Sequence, residues 1–198
     1  VSPLATPGVP APTRNPRARA LVPVAASLVL LLELAATLAS VGGDAFAPVA
    51  GWGATRPADT LTFVLVGIGC AALYWSRTRP LTVLFAATGA YAAFLLLGHE
   101  PGLFLAPMFA LFTAALQGAP RGAVLFAGAA AYAASLYWVY ERAATIADPG
   151  AALLAWVAFG TVTGVFLAGP YVAGELVRLR RALTGRTTDP TPRPTTTP

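Results

Sequence analysis

Residues 77–102 read RTRPLTVLFAATGAYAAFLLLGHEPG, and they decide how the rest of the chain is read. Arg77, Arg79 and Pro80 open the stretch. His99, Glu100, Pro101 and Gly102 close it, and nothing between carries a charge. The apolar residues form a block, not a helix-period or strand-period pattern. A bilayer core of about 30 Å needs roughly 20 helical residues, and Leu81–Gly98 fits that need. Pro80 sits where the first turn of a helix tolerates it.

Five further blocks flank it: Leu21–Val41, Leu61–Trp75, Leu103–Gln117, Gly122–Tyr140 and Ala151–Gly169. The fourth along the chain, Leu103–Gln117, is short, with Pro107 near its start. The last is expected to close at Pro170. Connections 76–80, 99–102 and 118–121 are too short for anything but tight antiparallel hairpins. The expectation is an all-α integral membrane bundle of six transmembrane helices over 21–169. A disordered basic arm over 1–20, a cytoplasmic amphipathic exit helix over 170–186 and a disordered tail over 187–198 complete it. A cleaved signal peptide is the alternative for the first block, given Ala45-Phe46-Ala47 downstream. The apolar run continues past Glu33 to Val41, which favours a span.

Composition agrees. Hydrophobic residues make up 57% and charged residues 11%, where soluble domains carry about a quarter charged. All 13 basic residues are arginine. They cluster at block ends and not on one face, so no nucleic-acid partner is expected. With the amino terminus in the cytoplasm, Arg56 and Arg142 fall outside and the other eleven fall inside. That bias places the chain in the plasma membrane as a multi-pass protein with both termini cytoplasmic. Asp44, Asp59, Glu100, Glu141 and Asp148 fall in the outer loops. The single cysteine, Cys70, excludes an intrachain disulfide. The chain begins at Val1 and its one methionine is Met108, as an alternative start codon or a fragment would give.

Several residues stand out for their chemistry. Glu33 interrupts a span, where a carboxylate costs about 2.5–3.5 kcal/mol. It reads either as a proton-sensing or ligand site or as one end of a helix–helix hydrogen bond to Thr88, Thr161 or Thr163. His99 and Glu100 read either as an outer-loop sensing pair or as a solvated turn closed by Pro101-Gly102. No metal site is expected, because a structural site needs about four ligands. Gly160, Gly164 and Ala168 form a small-residue stripe for helix packing, within the bundle or in a homodimer. Ala123, Ala127, Ala131 and Ser135 form another. Val172, Leu176, Leu179 and Leu183 fall at the spacing of a coiled-coil seam. The arginines around it also suit an amphipathic segment on anionic lipid. Trp52 lies in an outer loop that could dip back to the membrane surface.

Arg77-x-Arg79-Pro80-Leu81 before one span, then Leu97-Gly98-x-x-Pro101-Gly102, is similar to the N-terminal membrane domain of actinobacterial sensor histidine kinases of the nitrate/nitrite-response type. MFALFTAALQGAPRGA (108–123) and ELVRLRRAL (175–183) resemble the next span and the helix leaving the membrane. The likeness covers roughly residues 15–184. It implies a signal-input module of a two-component system, with a separate kinase or response regulator as partner. The family's phosphorylated histidine, Gly-rich nucleotide loop and acidic-Asn motif have no matching positions, since the one histidine is His99. No catalytic residue carries over, no cofactor is expected, and kinase activity is expected only of a longer chain. The alternatives are a small transporter or channel component and a structural membrane protein. Transport is less favoured, because no basic partner, paired interrupted helices or repeat accompanies Glu33.

Overall fold

A computed structural model describes residues 16–42, 48–100 and 102–186. Among these, six α-helices form one bundle and no strand occurs. They are α1 (Pro16–Gly42), α2 (Thr60–Ala72), α3 (Pro80–Leu96), α4 (Leu105–Leu116), α5 (Arg121–Ala143) and α6 (Pro149–Arg186). A 3-10 turn over Leu73–Trp75 prolongs α2. The expected tail lies outside the described residues, as does the arm up to residue 15. The last five residues assigned to the arm belong to α1.

Among the described residues three helices are long and apolar enough to cross a membrane: Leu21–Val41 of α1, all of α5, and Pro149–Thr184 of α6. The other three are apolar but shorter. Leu28, Leu31, Leu32 and Leu38 of α1 are exposed, as are Leu153, Leu154 and Val165 of α6. An apolar belt of that extent is what a bilayer covers and what water would not tolerate on a monomer.

The two ends of the bundle differ in composition. The arginine end holds the start of α1, the turns around 76–79 and 117–120, and the end of α6. Ser27 of α1 meets Tyr74 at 2.8 Å, and Gln117 Nε2 donates to the Ser76 carbonyl at 2.7 Å. The His99 end holds segments 48–59, 97–100, 102–104 and 144–148, joined by bonds such as Arg56 N–H to the Gly98 carbonyl at 2.8 Å.

Between the ends, α4 is the hub. It is the shortest helix, its 12 residues rising about 18 Å, yet it touches all five others. Ala106, Ala110, Ala114 and Ala115 are buried on it, and small side chains let neighbouring backbones close in. The closest approach is from α6. A Cβ on Gly174 would lie 2.6 Å from the Phe112 carbonyl oxygen and 2.9 Å from the Ala115 Cβ. α1, by contrast, sits at the edge, packed mainly on α2.

One expected boundary does not occur. The last span was to end at Pro170 with a separate exit helix over 170–186, but α6 runs unbroken through Pro170 for 38 residues. Proline already has a helical φ and forfeits one backbone hydrogen bond. Packing of Gly174 against α4, one turn further on, holds the helix in line. The exit helix is therefore the end of α6. Pro80 does occupy the first turn of α3, as expected.

Candidate functional site

Two polar centres interrupt the apolar bundle. The first lies where α4 begins. Residues 102–104 are not helical, and the N-cap residue Phe104 offers no capping side chain. The first N–H groups of a helix have no partner inside it, and in hydrocarbon the protein itself must supply one. Glu33 of α1 does so. Its Oε1 accepts from the backbone N–H of Leu105 and from that of Ala106, the latter at 3.3 Å. The positive end of the α4 dipole suits a carboxylate there. Glu33 is 1% exposed, and among the described residues its Oε2 has no hydrogen-bond partner. Nearby, the Thr37 hydroxyl donates to the Glu33 carbonyl at 2.7 Å.

The expected partners of Glu33 are not its partners. The Thr88 hydroxyl donates to the Leu84 carbonyl of its own helix at 2.7 Å. Thr161 is exposed and Thr163 is buried on α6. Threonine in a helix readily bonds a carbonyl one turn back, so its side chain need not cross to a neighbour. Glu33 crosses instead to backbone groups, which no side-chain pattern announces.

The second centre is the His99 end. His99 is 1% exposed, so the solvated turn expected around it is not there. Gly98, at φ +83°, turns the chain back over the bundle, a conformation glycine adopts without a Cβ penalty. Its carbonyl accepts from Arg142 Nη2 at 2.8 Å as well as from Arg56 N–H. The His99 ring packs on Phe94 with centroids 5.2 Å apart. Its two nitrogens lie 3.3 and 3.4 Å from the Thr62 hydroxyl, and Nε2 lies 3.9 Å from Asp59 Oδ1. The His99 carbonyl accepts from Trp138 Nε1 at 2.9 Å. Glu100, half-buried, accepts from the Thr55 hydroxyl at 3.1 Å.

Asp59 starts α2. Its Oδ1 accepts from the Thr62 N–H at 3.0 Å while the Thr62 hydroxyl accepts from the Asp59 N–H, a reciprocal cap. The Thr62 backbone bond, with help from the Thr62 hydroxyl, Arg56 and His99, holds the Asp59 carboxyl below its ordinary value. Arg56 pairs with Asp59 at 2.7 Å. Both arginines of this end thus bind the loops together.

Trp52 does not rest on a membrane surface. It is buried at this end, stacked on Phe159 of α6 at 5.2 Å and tilted against Trp138 at 5.8 Å. Arg142 lies over the Trp138 ring at 5.4 Å, in cation–π contact. Among the described residues no group of three metal-ligating side chains occurs.

The stripes on α5 and α6 are used inside the bundle. A Cβ added at Gly160 would lie 3.4 Å from Leu136 of α5 and one at Gly164 3.5 Å from Tyr132, so both glycines face α5, while Ala168 is exposed. Ser135 bonds Tyr91 of α3 at 2.8 Å. Val172, Leu176, Leu179 and Leu183 are all exposed. Beside them Glu175 pairs with Arg178 at 2.6 Å and with Arg121 of α5 at 3.7 Å.

Sequence reasoning missed Gly174 and Thr62, and it read Trp138 as an interfacial aromatic at a span end, not as a buried donor to His99. Asp59 three residues before Thr62 carries a capping signature that could have been read. The depth of Gly174 and the bond from Trp138 depend on chain segments distant in sequence. No family model matches the chain, and no curated protein or solved structure matches it.

Proposed function

We propose that this chain is a signal-input module of a membrane, with six crossings and the arginine end in the cytoplasm. One observation carries the reading: α6 is a single helix of 38 residues reaching from the His99 end to the arginine end. At one end Phe159 stacks on Trp52, a loop residue. At the other, Leu176, Leu179 and Leu183 stand exposed among arginines. A stimulus that moves the Trp52 loop would press on α6, and a continuous helix would carry that displacement to its far end. Coupling of this kind needs an element with two arrangements that both ends bias. Here that element is α6, sliding against α4 at Gly174. The arginine tally supports the orientation. Arg77, Arg79, Arg121, Arg178, Arg180 and Arg181 lie at one end, and Arg56 and Arg142 at the other.

The test joins residues 1–186 to a kinase core that lacks its own input domain. Expected is a membrane-bound kinase whose autophosphorylation changes when Trp52→Ala is introduced. Identical output from wild type, Trp52→Ala and a fusion with four residues inserted after Thr184 would sink the reading.

A second reading is favoured by a different observation. α4 begins inside the bundle and its amino terminus is met by Glu33, as half-helix termini meet ionic groups in transporters. On this account the chain is a component of a transporter. Proteoliposomes carrying wild type would then pass a solute or protons, Glu33→Gln would stop the flux, and Trp52→Ala would leave it intact.

A further inference from the structure

A groove runs along the outside of the bundle between α5 and α6, floored by α4. It encloses about 450 Å³. Gly128 and Tyr132 line it from α5, Gly164 and Ala168 from α6, and Leu111 from α4. The small residues create the space. A Cβ added at Gly128 would meet only Leu111 Cδ2, at 3.6 Å, and Ala168 leaves its side open.

The two walls share a register. On α5, Arg121, Leu125, Gly128 and Tyr132 succeed one another at helical spacing on one face. On α6, Gly164, Ala168, Tyr171, Glu175 and Arg178 do the same. Both walls therefore pass from apolar residues to charge at the arginine end. There Arg121 and Arg178 flank one carboxylate, Glu175. Two guanidiniums against one carboxylate leave one positive charge in excess about one helical turn beyond Leu125 and Tyr171, which line the groove. Arg121 is 67% exposed, with its nearer nitrogen 3.7 Å from Glu175. Among the described residues the buried Arg178 Nε has no hydrogen-bond partner. From Arg121 to Tyr132 the wall is about 16 Å long.

We infer that this groove seats one anionic phospholipid, an acyl chain lying between Gly128 and Ala168 and the phosphate against the exposed Arg121 guanidinium at the arginine end. The occupant follows from the charge. A neutral lipid would fill the apolar part and leave the excess cation unmatched. A second copy of this chain would bring a like-charged mouth against it. Basic pockets between helices at one membrane face suit phosphate headgroups, and guanidinium offers paired donors to phosphate oxygens. The inference is independent of the signalling reading and requires only that the bundle sits in a bilayer.

The test uses the full 198-residue chain in detergent, titrated with phosphatidylglycerol or phosphatidylcholine and followed by native mass spectrometry. One phosphatidylglycerol should stay bound, preferred over phosphatidylcholine. Arg121→Gln should reduce that preference about fivefold, and Arg121→Lys should restore part of it. Ala168→Leu and Gly128→Leu should each expel the lipid by filling the groove. Ala168→Leu places a good helix former at an exposed site, so its fold should survive, as circular dichroism would verify. Arg79→Gln, at the same end but on α3, should leave binding unchanged. Equal losses from Arg79→Gln and Arg121→Gln would reduce the effect to general attraction and overturn the inference. So would undiminished binding in a folded Ala168→Leu variant, or a dimer that excludes lipid and dissociates on Ala168→Leu.

Discussion

The two ends of the bundle are built on opposite plans. At the His99 end, segments far apart in sequence are tied by buried polar bonds. Gly98 accepts from two arginine-bearing segments, His99 from Trp138, and Trp52 is sandwiched between Trp138 and Phe159. At the arginine end Gln117 bonds the Ser76 carbonyl and Glu175 pairs with Arg121, and α6 carries Leu176, Leu179 and Leu183 exposed. One end is closed by contacts within the chain, while the other presents charge and apolar surface outward. Rigidity at one end and an unfinished face at the other is the arrangement a lever needs.

Four substitutions or conditions would break or sharpen that contrast. The largest effect should come from Glu33→Ala, which strips the partner from two N–H groups at the start of α4. Leaving a buried donor unmatched costs about 1–3 kcal/mol, so the pair should cost about 3 kcal/mol. In detergent the thermal midpoint should fall, and amide exchange at Leu105 and Ala106 should rise before exchange in α6 does. Glu33→Gln retains an acceptor oxygen and should recover much of the loss. Unchanged exchange at both amides in Glu33→Ala would show that α4 is capped by some other group.

Next is Gly174→Ala, which tests whether α6 depends on its contact with α4. The new Cβ would fall 2.6 Å from a backbone oxygen that cannot swing away. Overpacking of this kind costs about 1–3 kcal/mol. Exchange should rise in α6 beyond Gly174 while the His99 end keeps its protection. A variant as stable as wild type would mean that the helices do not approach so closely.

These two sites also mark how far the sequence could be read. The helices themselves were legible. The block Leu81–Gly98 corresponds to α3, Pro80–Leu96, because a long uncharged run between arginine and a glycine turn leaves the backbone little choice. The sorting of arginines was equally plain. The continuity of α6 was not, because the local rule at Pro170 weighs one lost hydrogen bond and cannot weigh the packing of Gly174. Nor was the burial of His99 visible. A histidine between glycine and glutamate looks like a surface turn until residues 52–62 fold over it. Glu33 was recognised as unusual, but its partners are peptide N–H groups, which every residue but proline possesses.

A smaller effect should come from acid. Asp59 caps α2, and its bond from the Thr62 N–H lowers the folded carboxyl below its ordinary 3.8. A depressed folded value means the contribution is complete above about 3.9 and is lost as pH falls through the folded value. Thermal stability should therefore decline below about pH 4, and that decline should shrink in Asp59→Asn, which keeps a capping oxygen without a titrating charge. Because the other end is joined by Glu175 as well, the double variant Asp59→Asn/Glu175→Gln separates the two contributions. If Asp59→Asn leaves the acid decline untouched, the His99 end does not titrate with this cap.

The smallest effect on the fold should come from the exposed seam, and that smallness is the point of the contrast. Leu176 is 58% exposed and Leu179 50%, so neither supports the bundle. Changing both to glutamine should alter stability by no more than about 0.5 kcal/mol. At the His99 end a comparable change, Trp138→Phe, removes the donor to the His99 carbonyl and should cost about 1 kcal/mol. In the kinase fusion the order should reverse. On the signal-input proposal, Leu176→Gln/Leu179→Gln should abolish the response to Trp52→Ala, because the seam would be where α6 meets its output. Trp138→Phe should only shift the response, since the lever remains whole. A seam variant that unfolds the bundle, or one that leaves the response intact, would show that the two ends do not divide the work of holding and transmitting.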